Sequence, residues 1–310
     1  MTFTNTTKAK AWLHAFRLRT LPLAFSGVLT AAFITISQEN IDYAITILIL
    51  ITTLFLQILS NLANDYGDYK KGTDNEERLG PERALQSGKI NKKEMRTAII
   101  IFSLLSLISG IALLFMSFFK ELILGEVITF SIFLLLGLVA IWAAIKYTVG
   151  KKAYGYIGLG DLFVLIFFGW VSVGGTYFLN THSFQWNILL PATSIGLLST
   201  AVLNLNNMRD IANDKESGKI TLTVILGINN AKLYHVSLII GSFAAMSLYV
   251  ISNYASGWQY IYFIMILPML RDLYKILLTT NNRDLDPFLK SQAINTFLFS
   301  IAFGIGLLIS

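Results

Sequence analysis

The sequence predicts an all-α membrane bundle, and three observations predict it. Runs free of Asp, Glu, Lys and Arg recur at 43–64, 97–119, 127–145 and 291–310. Two longer runs, 162–208 and 233–270, cover 47 and 38 positions, and a membrane crossing needs about 20 residues. Basic residues gather in alternate connections: 23 of the 24 lie there, and only Lys120 falls on the other side. That is the asymmetry of a polytopic protein with its N-terminus in the cytoplasm.

Nine transmembrane helices are expected, near 20–37, 41–64, 97–119, 122–145, 158–178, 187–209, 231–252, 258–278 and 290–309. Residues 1–19 are polar and carry Lys8, Lys10, Arg17 and Arg19 without the cleavage site of a signal peptide. Trp12 and Phe16 suit a short interfacial helix before the first crossing. Pro22 falls early in that crossing, where a helix start tolerates it. The whole chain, 1–310, reads as one intramembrane domain with cytoplasmic cap loops near 65–93, 146–156 and 210–229.

Composition excludes several chemistries. There is no cysteine, so neither disulfides nor thiolate ligands occur. His14, His182 and His235 are far apart and form no local zinc motif. The net charge of +6 follows membrane topology rather than a nucleic-acid surface. No Gly-x-x-x-x-Gly-Lys-Ser/Thr loop is present, which disfavours ATP-driven chemistry.

Two polar islands end apolar runs on the same face. The first, 61–88, contains Asp65, Asp68, Asp74, Arg78 and Arg83. Asp65 and Asp68 are three apart, preceded by Asn61 and Asn64 at the same spacing, so all four share one helix side. The second, 204–218, places Asp210 and Asp214 four apart after Asn206 and Asn207. Carboxylates this close repel and resist desolvation, and a cation removes that penalty. Oxygen ligands suit magnesium, which binds through few carboxylates together with substrate phosphates. Arg78, Arg83, Lys146 and Lys151 are the candidates for stabilising a departing diphosphate. The aromatic run 163–178 suits an isoprenoid tail and equally suits lipid-facing packing.

At NDYGD (64–68), RDIAND (209–214) and YTVGK (147–151) the chain resembles the intramembrane aromatic prenyltransferase superfamily. Within it, SNLANDYGDYKKGTD, RLGPERALQSG, YGYIGLGDLFVLIFFG and NNMRDIANDKESGKITLTVILG are most similar to the menaquinone-pathway branch that prenylates 1,4-dihydroxy-2-naphthoate. The likeness is clearest over 17–227, where RLRTLPLAFSGV also fits. One departure stands out: the wider superfamily has a further Asp where this chain has Gly72, with Asp74 two residues later.

The resemblance implies nine helices around a central cavity in a bacterial cytoplasmic (inner) membrane. It implies magnesium-dependent transfer from polyprenyl diphosphate to the naphthoate, with loss of diphosphate and carbon dioxide; the resemblance suits a donor of seven or eight units, and the sequence leaves the tail length open. Asn64, Asp65, Asp68, Asp210 and Asp214 would then be the metal ligands. Tyr147, with Arg78, Lys146 and Lys151, would be catalytic. Asn61, Asp74, Arg83, Asn206 and Asn207 would bind substrate, with Arg19 a candidate for the acceptor carboxylate. Asp161, in LGDLF, suits a helix cap as well as a substrate role. Membrane lipid is the expected surrounding, nucleic acid is not a partner, and oligomeric state is left open. The rivals are a sister prenyltransferase with another aromatic acceptor and a cation-coupled transporter. The latter usually carries internal repeats, of which only the paired acid motifs hint here.

Overall fold

A computed structural model describes residues 7–74, 79, 83–118 and 124–310. Arg78 and Lys120 lie outside the described residues. An interfacial helix α1 (Lys8–Phe16) leads through a short 3-10 turn into α2 (Leu21–Ser37), which carries Pro22 in its first turn. There the missing N–H would have no helical partner anyway. Helix α3 (Tyr43–Lys71) starts on Asp42, whose carboxylate accepts the N–H groups of Ala44 at 2.9 Å and Ile45 at 3.1 Å. Helices α4 (Lys92–Phe118) and α5 (Leu124–Lys146) follow. The next crossing is composite: α6 (Gly160–Val164), a π-helical segment (Leu165–Gly174) and α7 (Gly175–Thr181). Then come α8 (Leu189–Arg209), the short α9 (Ile211–Glu216), α10 (Leu222–Ser252), α11 (Ile266–Leu278) and α12 (Asp286–Leu308).

Eight of the described helical stretches are long and apolar enough to cross a membrane. The expected crossing at 258–278 is a nine-residue 3-10 run, Gly257–Met265, continued by α11. Arg271, Asp272 and Lys275 lie in α11, so charges interrupt its apolar pattern. The aromatic run 163–178 is not a plain α-helix either, since ten of its residues are π-helical, a form that occurs mostly as local bulges near functional sites.

Helix α8 is central and α5 peripheral: 67% of the apolar window of α8 is buried against 6% for α5. A core of Ile195, Leu198, Met246, Tyr262, Phe299 and Phe303 joins α8, α10, α12 and the 3-10 run. Since lipid is as apolar as these side chains, close packing and interhelical hydrogen bonds hold them. Ser194 of α8 and Ser242 of α10 supply one such bond at 2.9 Å. A second core packs α1 and residues 84–90 onto α3 and α4 through Ala11, Ala15, Leu62, Leu85, Ile90 and Met95. Burying Leu85 and Ile90 there stabilises the cap by about 1.5–3 kcal/mol each relative to exposure in water.

The connections that hold the basic residues meet at one end. Arg17 pairs with Asp65, Tyr156 with Asp68, Asn213 with Thr73 and Arg209 with Asp286. At the other end Asn180 bonds Asp42, Asn187 bonds Asn253 and Ser256 bonds Ser310. The alternation expected from charge is thus the alternation of the two ends of the bundle.

Candidate active site

The side of α3 bearing Asn61, Asn64, Asp65 and Asp68 lines a cavity of about 1050 Å³. Helical spacing alone put these four together, and they remain together. Asp65 is only 1% exposed and is held between two guanidinium groups. Arg17 donates to its Oδ1, and Arg83 Nη1 lies 3.0 Å from the same atom. Arg17 occupies a left-handed conformation (φ 48°) between α1 and the 3-10 turn, which brings its side chain across to α3.

Gly67, inside the acid motif, has a steric task. A Cβ there would lie 2.4 Å from Thr148 Oγ1 and 2.7 Å from the Thr148 backbone carbon. The bare backbone lets residues 147–148 lie against α3, where Thr148 donates to the Ala63 carbonyl at 3.0 Å. Tyr147 thereby joins the cavity wall. Gly72 explains the departure noted in the sequence. It ends α3 in a left-handed conformation (φ 75°) that a side chain would strain. The chain turns there, and Asp74 becomes buried with Arg83 Nε 3.7 Å from its Oδ1.

The second motif reaches the cavity through Asn206 and Arg209, joined by Lys219 just after the motif, whereas Asp210 and Asp214 do not line the cavity and are held by those two cations. Arg209 is buried at the end of α8 and contacts Asp210 Oδ2 at 2.6 Å, Asn206 Oδ1 at 2.9 Å and Asp286 Oδ1 at 2.5 Å. Lys219 lies 3.2 Å from Asp214 Oδ1. Burial pushes the Asp214 carboxyl up to about 6, and nearby Lys219 works against that rise. For Lys219 burial favours the neutral form, but Asp214, Asp68 and Asp210 raise it on balance, so the ammonium persists. The same acids act on both groups, which places the two motifs in one electrostatic neighbourhood. Tyr147 and Tyr156 are pushed up, first by burial and then by neighbouring carboxylates, and remain hydroxyl donors.

The other predicted residues divide. Arg19 and Arg83 line the cavity. Asn61 lines it too, and its amide also donates to the Phe16 carbonyl at 3.0 Å, fastening α1 to α3. Asn207 is buried in α8 outside the lining. Asp161 is buried in the first turn of α6 with the Tyr234 hydroxyl as polar neighbour, which favours a structural place for it. Lys146 and Lys151 are exposed and do not line the cavity. Arg78 cannot be placed because it falls outside the described residues. Sequence reasoning gave no role to Arg17, Lys219, Arg209 or Tyr156. The available signal was proximity to the motifs: Arg209 opens RDIAND, and Lys219 follows Asp214 by five residues.

Among the described residues no three acidic or histidine side chains form a metal set on their own. Magnesium draws much of its shell from water and substrate phosphate oxygens, so it needs few protein ligands. Buried oxygens at the site favour such an ion, because Asn64 Oδ1 and Asp214 Oδ2 have no hydrogen-bond donor among the described residues. Deeper in the cavity, Leu134, Leu138, Phe163, Phe167, Phe168 and Val171 make an apolar wall. The π-helical segment supplies the last three, so part of the aromatic run does face inward.

The chain is 40% identical to the 1,4-dihydroxy-2-naphthoate octaprenyltransferase of Escherichia coli (strain K12), over 100% of this chain and 99% of that protein. Its fold matches a UbiA homolog from Archaeoglobus fulgidus with a TM-score of 0.66 at 16% identity, covering 98% and 100% of the two chains. A structure of a UbiA homolog from the same organism bound to GPP and Mg2+ matches with a TM-score of 0.58 at 17% identity, covering 97% and 100%. The UbiA prenyltransferase family matches residues 23–301, and with the acid motifs, the cations and the apolar cavity in one place, this chain belongs to that family.

Proposed function

We propose that this chain transfers a polyprenyl group from polyprenyl diphosphate to 1,4-dihydroxy-2-naphthoate, releasing diphosphate and carbon dioxide and giving demethylmenaquinol. The observation that carries the reaction class is the division of one cavity into a charged mouth and an apolar interior. Asp65, Asp68, Arg17 and Arg83 mark the first, and Phe163, Phe167 and Val171 the second. The acceptor follows from the full-length similarity to the Escherichia coli protein.

Asn64, Asp65, Asp68, Asp210 and Asp214 would hold magnesium with the diphosphate. When bound, magnesium neutralises diphosphate charge and assists its departure. Arg17, Arg83 and Lys219 exchange carboxylate partners for diphosphate oxygens and stabilise the charge gathering there. The allylic carbon–oxygen bond breaks with its electron pair going to the diphosphate. The ring carbon that bears the carboxylate attacks the prenyl carbon. The carboxylate leaves as carbon dioxide, and its bonding pair restores the aromatic ring. Tyr147, Tyr154 and Phe163 wall the reacting end and exclude water that would capture the cation. Arg19 orients the acceptor carboxylate.

The domain is single, 1–310, and residues 257–278 make a ninth crossing. The site opens to the cytoplasm at a bacterial inner membrane, as the basic residues direct.

The test is turnover by purified protein with magnesium, polyprenyl diphosphate and carboxyl-labelled acceptors. Naphthoate is expected to exceed 4-hydroxybenzoate by about 100-fold in transfer efficiency, or about 2.7 kcal/mol. The label should leave as carbon dioxide. Equal efficiency overturns the acceptor assignment, and label kept in the main product overturns decarboxylation.

A further inference from the structure

Tyr156 lies in the connection between α5 and α6, outside both acid motifs, yet it bonds directly to the first and is linked to the second through Thr73. It is buried and does not line the cavity. Its hydroxyl donates to Asp68 Oδ1 at 2.8 Å. A tyrosine has one hydroxyl proton, so the 2.7 Å contact with Thr73 Oγ1 has Thr73 as donor. The Thr73 carbonyl in turn accepts the side-chain amide of Asn213 at 2.9 Å. Asn213 belongs to the second motif. A continuous path therefore runs from Asn213 through Thr73 and Tyr156 to Asp68.

The backbone and ring of Tyr156 add to this. Its carbonyl accepts the N–H of Ile220 at 3.2 Å, beside a parallel bridge between Ile157 and Ile220. That pins the segment carrying Lys219. The Lys71 ammonium sits 3.4 Å from the ring centroid, and that of Lys219 sits 5.7 Å from it. Cations over an aromatic face are attracted to it. The ring thus holds one cation from α3 and one from the segment that follows the second motif.

We infer that Tyr156 is a positioning residue, which sets Asp68 against the second acid motif so that both present oxygens to one divalent cation and diphosphate. It rests on the reaction proposed above. Groups behind a metal ligand fix its orientation, and their loss lowers metal affinity by about 10–100-fold. Tyr156→Phe removes the hydroxyl and keeps the ring, so it separates the bond to Asp68 from the packing.

The experiment is direct Mn2+ binding, with inorganic diphosphate present, to detergent-purified full-length protein, alongside melting of the metal-free protein. Tyr156→Phe is expected to weaken Mn2+ binding by about tenfold or more while metal-free melting changes little. In turnover it raises the magnesium concentration needed for half-maximal rate, and saturating magnesium recovers most of kcat. Tyr177→Phe is the control, because it removes a buried hydroxyl bond to Gln38, 2.9 Å long, at the opposite end. Its Mn2+ affinity should equal wild type. If Tyr156→Phe does not fold, Thr73→Val replaces it and should weaken binding several-fold. Mn2+ affinity at the wild-type level in whichever variant is measured overturns the positioning role. A wild-type protein that binds no Mn2+ with diphosphate overturns the underlying reaction instead.

Discussion

The Lys219 ammonium and the Asp214 carboxylate face one another at 3.2 Å, both buried, where the second acid motif meets the cavity. Each satisfies a charge that would otherwise be costly so far from water. The pair also keeps a cation ready for the diphosphate, since charge-assisted bonds to phosphate oxygens are among the strongest a lysine makes. Lys219→Met should lower turnover by about 100-fold, the scale on which lost transition-state charge stabilisation is felt. Lys219→Arg should keep more activity than Lys219→Met. Equal rates for Lys219→Met and wild type, measured at saturating magnesium and donor, would remove Lys219 from the site.

Asp65 is placed between Arg17 and Arg83, so its loss has two consequences. Asp65→Asn leaves Arg17 without its carboxylate and Arg83 with Asp74 as its remaining partner among the described residues, and breaking a buried pair typically costs about 3–5 kcal/mol. It also removes a proposed metal ligand, and turnover should fall by at least about 100-fold. Asp210→Asn should behave similarly through Arg209. Melting and turnover of each purified variant check both effects, and a stable variant with near-normal turnover excludes an essential ligand role. Asp74→Asn should be milder, because Arg83 lies 3.7 Å from it and keeps Asp65.

Gly67→Ala should disturb the site without changing any charge. The added Cβ meets Thr148 at its hydroxyl and at its backbone carbon. Overpacking of this kind costs about 1–3 kcal/mol. Trimming the side chain in a Gly67→Ala/Thr148→Ala double variant should restore little, because the backbone contact remains. Melting temperatures of the two variants report this, and full recovery by the double variant would show that only the hydroxyl obstructs.

Lys146→Ala and Lys151→Ala should each reduce turnover less than Arg17→Ala. The two lysines are exposed and outside the cavity lining, whereas Arg17 contacts Asp65. Exposed charges are screened and contribute little. Turnover at matched magnesium orders the three variants, and a larger loss for either lysine would mean that the 146–156 connection closes over bound donor.

Much of this protein is determined by local rules that a sequence carries openly. Charge-free length marks most of the membrane-length helices. Basic residues mark which connections share an end, because the cost of moving charge across the bilayer acts on each loop separately. Helical spacing sets Asn61, Asn64, Asp65 and Asp68 on one side of α3, since that geometry depends only on residues of one helix. The pairing of cations with these acids is different. Arg17 finds Asp65 across 48 positions, Tyr156 finds Asp68 across 88, and Arg209 finds Asp286 across 77. No spacing rule reaches that far. Such partners are selected by where packed helices place their ends and by the cost of leaving a buried charge alone. The same holds for the 3-10 run before α11 and the π-helical stretch beside the cavity, whose windings depart from the α-helix that apolar periodicity assumes. It holds for Lys146 and Lys151 as well, whose exposure depends on how residues 147–148 fold against Gly67. Sequence determined most of the crossings and the motifs, and tertiary packing decided which charges meet, because burial turns an indifferent surface cation into an obligatory partner.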